Sequence, residues 1–537
     1  MANNIVDTMG WDTVTAITYK DVNDSIVQQG SSPTSFTQVA PDNSASVSGS
    51  FGQWALSTGG SGADIMMMLP VTSGTVTVQG TDYPIASATA TVLVRANFLP
   101  QPNAPNSQAL VLQTAPTASV TLPASVESLQ PAQSNFLADA ALRQLLQDWL
   151  NNNLQDFNHT FAVVDFNAEF SVEGLNWLRP SHTGYAVAEP STGATLDNSV
   201  FAVMCLIDGN TNVAGLEFQV SPFAIPADKK AGFVISSEKF LKHMMLDAMP
   251  MMFDGIPNEK SSEYFKIDND GTRITNIQPV TLRDTKLDNG KIVNPTIDAR
   301  KYSIAVNETE LQIGMTDATF EYSPGITVHL NYEGASTLSF DATNDILDLM
   351  VVSQSGSGSV EVGQGLRIAE IVISVVALVL SVVGGIGAGV GKAASKAVQE
   401  AAQAAAEAAE AAGESTSAIG TVTAEGAESA QAMNQATVTA LRGLVAGTPA
   451  EVSQFAATCF SVAKFAGLGA AAFGIPSAIM PIVEAAARGD YQSMLKVTNL
   501  TDDALGKATM WPAGVPGYTL VSAELNGALQ FGLDHRV

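Results

Sequence analysis

The sequence feature that most constrains the fold is an uncharged apolar run at residues 371–391. It contains the stretch ISVVALVLSVVGGIGAGVG, with Arg367 and Glu370 before it and Lys392 after it. About 20 apolar residues in a helix are enough to span the hydrocarbon core of a bilayer. The chain must therefore place this segment in a protein core, in a lipid-filled cavity or in a membrane.

A second uncharged run occurs at residues 465–483, after several Ala-rich polar segments that are also predicted to be helical. Spaced small residues allow helices to pack closely, both in proteins and in membranes. The two runs are therefore predicted to be core helices, groove-lining helices or membrane-inserting helices, and the sequence leaves all three open. The residues that define them are Ile371, Val375, Val376, Leu378, Val379, Val382, Phe465 and Ile479.

The charge distribution argues against nucleic acid as a partner. The chain has 25 basic and 52 acidic residues, a net charge of −27, and an acidic field repels phosphate backbones. The basic residues are concentrated between Lys229 and Lys301, interleaved with nearly as many acids. A patch for anionic lipid headgroups is expected there if the chain has one, although a solvated mixed-charge surface is the simpler interpretation.

The composition changes along the chain divide it into four regions. Residues 1–230 are predicted to form a first β-rich half with one long helix, and residues 231–352 a second β-rich half. Residues 353–490, which begin with a Ser/Gly-rich linker at 353–359, are predicted to form an Ala/Gly-rich helical region. Residues 491–537 are predicted to return to strands that rejoin the β-rich body.

Alternating small polar and apolar residues over about residues 10–122 predict strands of a sheet with one wet face. Asn526-Gly527 is a strong signal for a hairpin turn. Further strands are predicted at residues 161–170, 200–207, 215–220, 232–235, 520–525 and 528–531.

Two amphipathic helices are predicted within these β-rich regions. The first covers residues 134–151, with an apolar stripe that includes Phe136, Leu137, Leu145 and Trp149. The second covers residues 236–253 and has a methionine-rich face. Because methionine side chains are flexible and polarizable, this face suits either an irregular core or a lining for acyl chains. Its candidate lipid contacts are Phe240, Leu241, Met244, Met245, Met249 and Met252.

The sequence offers no constellation typical of catalysis or metal binding. The five histidines are scattered, and none pairs at metal-ligand spacing on a helix. Cys205 and Cys459 lie in apolar surroundings, which predicts buried, reduced thiols. We therefore predict no catalytic, cofactor-binding or metal-binding residues, and a protein that is not an enzyme.

The first residues, MANNIVDTMGWDTVT, have neither the basic start nor the apolar segment of a Sec signal. They predict cytoplasmic synthesis, with any later release by a non-Sec route.

Four short motifs resemble the 47-kDa accessory proteins encoded beside clostridial neurotoxins and the related OrfX proteins. They are Met9-Gly10-Trp11-Asp12, Phe51-Gly52-Gln53-Trp54, Gly232-Phe233-Val234-Ile235-Ser236 before Lys239-Phe240-Leu241, and Leu525-Asn526-Gly527-Ala528-Leu529-Gln530. That family is similar to the tubular lipid-binding (TULIP) superfamily. The resemblance implies an α+β fold in which highly curved antiparallel sheets wrap around long helices. The Ala/Gly-rich helical insertion departs from that pattern.

The resemblance implies a non-enzymatic lipid-binding protein accessory to a toxin or virulence system, with phospholipid or phosphoinositide as its ligand. Two alternatives remain open. One is a scaffold or chaperone that binds a co-encoded toxin without lipid, its helices forming a bundle or a homo-oligomer interface. The other is a membrane-inserting or pore-forming protein that uses the helices at 371–391 and 465–483.

Overall fold

The computed structural model describes residues 5–117, 122–362 and 497–536, apart from short gaps at 172, 248, 258–259, 269, 284, 287–291, 324–325 and 344. These residues divide into two compact units. The first holds residues 5–236, 340–346 and 497–536, and the second holds residues 237–339 and 347–362. Segments distant in sequence thus assemble the first unit.

The described structure is rich in β-sheet and includes a sheet curled into a half-barrel. In chain order the strands are β1 Thr13–Thr18, β2 Ser35–Val39, β3 Ala45–Phe51, β4 Ala55–Leu56, β5 Ile65–Val78, β6 Thr81–Pro84, β7 Ala88–Val94, β8 Ala96–Gln101, β9 Ala104–Leu112, β10 Ala124–Gln130, β11 Ala162–Asp165, β12 Pro180–Ala188, β13 Val200–Ile207, β14 Ala231–Ile235, β15 Phe253–Asp254, β16 Phe265–Ile267, β17 Arg273–Asn276, β18 Val280–Leu282, β19 Thr285–Lys286, β20 Ile292–Val293, β21 Thr296–Ile297, β22 Tyr302–Asn307, β23 Glu310–Ser323, β24 Ile326–Asp341, β25 Ile346–Val362, β26 Thr509–Met510, β27 Tyr518–Leu525 and β28 Leu529–His535.

The helices of the described residues are fewer and mostly short. The α-helices are α1 Tyr19–Gln29, α2 Phe136–Asn153, α3 Ser237–Phe240, α4 Met249–Met252, α5 Ser261–Tyr264 and α6 Val497–Asp503. Two 3-10 turns (Leu154–Asp156, Glu173–Leu178) and two π-helical turns (Leu241–Leu246, Ala504–Ala508) complete them.

The central sheet of the first unit has six antiparallel strands in the order β12-β13-β1-β14-β28-β27. All six residues of β1 and all eight of β13 are buried, so both faces of the sheet are covered. On one face, Val14, Met204 and Val234 pack against Val220 and other apolar residues. The predicted strand at 200–207 is confirmed, and the C-terminal hairpin joins the sheet by pairing β28 with β14.

A seven-stranded sheet packs against α2 in the same unit. Its strand order is β10-β7-β5-β3-β2, with β4 and β6 beside β5. The Asn135 side chain caps α2 by accepting hydrogen bonds from the amides of Leu137 and Ala138. The predicted helix at 134–151 is confirmed with a two-residue offset, but its buried stripe begins at Ala138. Phe136 and Leu137 are 81% and 56% exposed.

The second unit contains most of a nine-stranded sheet in the order β15-β18-β21-β23-β22-β17-β16, with β24 beside β23 and β25 beside β24. The prediction of a continuous helix at 236–253 is wrong. The segment is a short α-turn, a π-turn over Leu241–Leu246, a second α-turn at Met249–Met252, and then strand β15. Pro250 explains the break, because its ring has no N–H to donate to the Leu246 carbonyl and would collide with that group in a continuous helix.

Three other local predictions are also wrong. Residues 19–29, expected within the strand-rich start, form helix α1, which begins after the capping Thr18 and ends at the left-handed Gly30. Residues 215–220 form a loop and not a strand. The expected linker at 353–359 lies inside strand β25, because a Ser/Gly run can take up extended backbone when a neighbouring strand supplies hydrogen-bond partners.

The expected architecture of long helices wrapped by sheet is not shown. Within the described residues, α2 has 18 residues, α1 has 11, and the others are shorter. None of these helices is long and apolar enough to cross a membrane. The runs at 371–391 and 465–483, with their eight candidate residues, lie outside the described part of the chain.

Candidate functional site

A groove of about 630 Å³ lies at one end of the six-stranded sheet. Loop 190–198, the segment 221–230 and strands β27 and β28 line it, and all of them belong to the first unit. Its volume is within the range of about 300–1,000 Å³ that small-molecule sites occupy. Its apolar lining comes from Pro190, Pro222, Phe223, Ile225, Pro226 and Ala227.

The groove exists because the segment 221–230 lies directly on the sheet. Gly232 on β14 and Gly532 on β28 are directly opposed in the ladder. A Cβ atom at Gly232 would collide with the Ala224 carbonyl oxygen, and one at Gly532 would lie 2.9 Å from Lys229 Cγ. This pair of glycines therefore allows the loop to approach the strands.

Gln530 forms the polar floor of the groove and is fully buried. Its Nε2 donates to the carbonyl oxygens of Phe223, at 2.7 Å, and Ala224, at 3.3 Å. Its Oε1 accepts a hydrogen bond from Asn526 Nδ2 at 3.1 Å. Because these bonds satisfy the amide, Gln530 fixes the 223–224 backbone in place.

The charged residues of the groove differ in exposure. Lys229 and Lys230 are half-buried, whereas Asp197, Asp228 and Glu524 are exposed. The Lys229 Nζ lies 3.9 Å from Asp534 Oδ2, a loose and partly solvated ion pair. Although Glu524 is exposed as a residue, the groove walls partly desolvate its carboxyl group, and this burial raises its pKa.

This arrangement suits the binding of an amphipathic molecule. The 222–226 wall is apolar, while Lys229 and Lys230 supply ammonium groups and the acidic residues of the lining supply carboxylates. The described lining contains no histidine, cysteine or serine. Binding of an amphipathic molecule is the activity that this geometry supports.

The predicted lipid contacts lie elsewhere, in the second unit. Phe240, Leu241, Met245, Met249 and Met252 are buried, and Met244 is half-buried. The Tyr302 hydroxyl donates to Met252 Sδ at 3.7 Å. The structure thus places these residues in a packed core, and contact with lipid there remains a prediction.

The prediction of a buried, reduced cysteine is confirmed for Cys205. Its thiol is free and 4% exposed, and burial raises its pKa to about 12. The thiol therefore stays protonated and unreactive. Cys459 lies outside the described residues.

Sequence reasoning found only part of the groove. Lys229 and Lys230 begin the basic stretch that was expected to hold any headgroup patch. Glu524 and Gln530 were not identified, although the Asn526-Gly527 turn signal lies between them. The Gly232–Gly532 pair gave no signal, because two glycines so far apart in the chain become meaningful only when the strand register is known.

Comparisons with known proteins agree with this fold. A family model described as OrfX-like, Protein OrfX2/OrfX3/P47, matches residues 8–463. Protein OrfX3 of Clostridium botulinum (strain Kyoto / Type A2) is 25% identical over 408 residues, covering 68% of this chain and 82% of the relative. Protein OrfX3 of Paraclostridium bifermentans is 27% identical over 272 residues, covering 46% and 55%.

Two solved structures share the architecture. P47 from Clostridium botulinum A2 aligns with a TM-score of 0.57 at 12% identity, over 99% of this chain and 98% of that one. P47 of Clostridium botulinum E1 aligns with a TM-score of 0.58 at 12% identity, over 98% and 100%. At this identity the structures show a common fold, while the family model covers most of the sequence. The chain belongs to the OrfX-like family of OrfX2, OrfX3 and P47 proteins.

Proposed function

We propose that this chain is a non-enzymatic lipid-binding protein that is accessory to a co-encoded toxin. The amphipathic groove is the observation that carries the proposal. In a chain of net charge −27, it places two half-buried lysines beside an apolar wall of Pro222, Phe223, Ile225 and Pro226. A phospholipid has the matching chemistry, an anionic phosphate next to an apolar glyceride.

The packing of α2 supports a TULIP-like interpretation of the first unit. Trp149 of α2 contacts Phe51, at a centroid distance of 5.2 Å, and Phe36, at 6.1 Å, on the seven-stranded antiparallel sheet. A helix held against a sheet in this way is the building unit of a tubular lipid binder. The Met-rich core of the second unit is the proposed second place for acyl chains, because methionine side chains repack easily around a variable ligand.

The test is organic extraction and mass spectrometry of lipid carried by the purified full-length chain, quantified against protein. Near-stoichiometric phospholipid is the expected result. The double variant Lys229→Ala/Lys230→Ala should lose most of this lipid if the groove holds it. Lys260→Ala is a matched control, because Lys260 is an exposed lysine of the second unit, paired with Glu263.

Photo-crosslinking separates the two proposed lipid contacts. A phospholipid with a photoreactive acyl chain should label peptides from 221–230 if the groove is occupied, and peptides from 240–252 if the Met-rich core is. A lipid-free protein that is also unlabelled would contradict the lipid function.

A scaffold that binds a toxin or accessory protein is the second candidate. The adjacent exposed side chains Phe136 and Leu137 favour it, because large apolar residues at 81% and 56% exposure suit a protein contact. Replacing both with serine should abolish capture of the co-encoded partner while leaving lipid content unchanged. Retained capture would show that Phe136 and Leu137 are not part of the interface.

A further inference from the structure

We propose that the groove selects a phosphate ester that also carries a primary ammonium group, the chemistry of phosphoethanolamine, over a phosphate without an amine. The inference rests on the proposed function for the lipid source of this group, but the headgroup preference follows from the groove itself.

The acidic groups of the groove outnumber its cations. Lys229 and Lys230 supply two cations, and Lys229 is already loosely paired with Asp534, whereas Asp197, Asp228 and Glu524 supply three carboxylates. A purely anionic ligand would gain attraction from the lysines but would also be repelled by the three carboxylates of the same lining. A ligand with an ammonium group converts that repulsion into attraction, since opposite charges at about 4 Å near a protein surface attract appreciably.

The charged residues of the groove also differ in exposure. The lysines are half-buried and belong to the same segment as the apolar wall, whereas Asp197, Asp228 and Glu524 are exposed as residues. Phosphate bound by the lysines would therefore leave the attached amine near the more exposed acids. A glyceride on the other side of the phosphate would face Phe223 and Ile225.

The lining also distinguishes primary from quaternary amines. Quaternary ammonium ligands are typically bound by cages of several aromatic rings. The described lining has a single aromatic side chain, Phe223. Carboxylates accept hydrogen bonds from a primary ammonium, which a choline group cannot donate. The groove should therefore prefer ethanolamine to choline.

Soluble probes test the preference with the full-length chain. In calorimetric titrations, phosphoethanolamine should bind at least about tenfold more tightly than inorganic phosphate, ethanolamine or phosphocholine, the change expected from one charge-assisted hydrogen bond. Equal affinity for phosphoethanolamine and inorganic phosphate would overturn the inference while leaving lipid binding intact.

Two variants assign the preference to the groove. Glu524→Gln and Asp228→Asn alter exposed side chains, so both should fold. Each removes one carboxylate that can accept a hydrogen bond from the ammonium, so each should reduce the preference for phosphoethanolamine, by up to about tenfold, without weakening the binding of inorganic phosphate. Glu263→Gln, an exposed acid of the second unit, is the control and should change nothing. An unchanged preference in both groove variants would contradict the assignment.

Vesicles identify the source of the headgroup. The chain should float with phosphatidylcholine vesicles that contain phosphatidylethanolamine, and not with those that contain phosphatidic acid instead. Stronger flotation with phosphatidic acid would overturn the inference. Selective binding of soluble phosphoethanolamine without any vesicle binding would keep the selectivity, assign it to a soluble phosphate ester and contradict the lipid function.

Discussion

The two units fill their cores with different side chains. In the first unit, Trp54, Trp149 and Phe51 interlock, with Trp54 stacked on Phe157 at 5.2 Å. In the second, buried methionines at 245, 249, 252 and 315 accompany one three-ring cluster of Phe253, Phe265 and Tyr302. Rings have two side-chain torsions and a fixed shape, whereas methionine has three and adapts. We therefore expect a truncated side chain to cost more unfolding free energy in the first core than in the second, where neighbouring methionines can move into the cavity.

The unfolding of the two units can be followed by separate measurements. All five tryptophans of the chain, at positions 11, 54, 149, 177 and 511, belong to the first unit. Tryptophan fluorescence therefore follows the first unit alone. Hydrogen exchange measured on peptides is needed to follow the second.

The largest expected effect is that of Trp149→Ala. Trp149 is 4% exposed and contacts three other aromatic rings, so the truncation leaves a cavity and should cost about 3–5 kcal/mol of unfolding free energy. Urea unfolding followed by the remaining tryptophans measures it. Trp149→Phe should cost clearly less. A loss below about 1 kcal/mol for the alanine variant would show that this core also relaxes.

His159 should make the first unit sensitive to acid. Its ring is 2% exposed, Ser31 Oγ lies 3.0 Å from its Nδ1, and burial lowers its pKa to about 4. Because the folded pKa lies below the unfolded value of about 6.5, the neutral ring stabilises the fold fully above pH 6.5. This stability, of the order of 3 kcal/mol, should be lost as the pH falls from about 6.5 to 4. Urea unfolding at several pH values measures the slope, and His159→Gln should flatten it.

Met245→Ala should cost less than the tryptophan truncation although Met245 is fully buried. We expect about 2–3 kcal/mol, the low end for such truncations, because neighbouring methionines can close the cavity. Hydrogen exchange of peptides from 237–282 reports the local loss. Met245→Leu should cost less than about 1.5 kcal/mol. A loss equal to that of Trp149→Ala would refute the proposed difference between the cores.

Asn135→Ala should cost about 1 kcal/mol, the usual value of a helix cap. The Asn135 side chain accepts from the amides of Leu137, at 2.9 Å, and Ala138, at 3.1 Å, and the variant leaves both unsatisfied. Fluorescence-detected unfolding measures the loss. Asn152→Ala, an exposed change in the same helix, should leave stability within about 0.5 kcal/mol.

Pro250→Ala has the smallest expected effect, below about 1 kcal/mol. The variant gains a backbone N–H at position 250 that can donate to the Leu246 carbonyl. Hydrogen exchange of this new amide should therefore be slow if the apolar periodicity alone can form a helix. Rapid exchange would show that packing of the second core, and not Pro250, breaks the helix.

Local structure was predictable where one signal dominated. The eight-residue apolar run at 200–207 is a strand, and the stripe containing Leu145 and Trp149 is a helix, because burial of the apolar side chains decides both. Helix α1 was also predictable from the sequence. Thr18 before it, Gly30 after it, and Tyr19, Val22 and Ile26 on one face are helix signals. Pro250 also signals the break, but the apolar periodicity of residues 236–253 by itself favours a continuous helix.

The groove was predictable only through its lysines. By itself, the sequence determined the elements with strong periodicity, the burial of Cys205 and the resemblance to the OrfX-like family, because those depend on neighbouring residues or on short motifs. The tertiary structure decided that β1 lies between β13 and β14, and that Gly232 faces Gly532. Contacts between residues hundreds of positions apart follow from strand order and register. Both depend on packing across the whole sheet, so the residues next to each strand in the sequence do not reveal them.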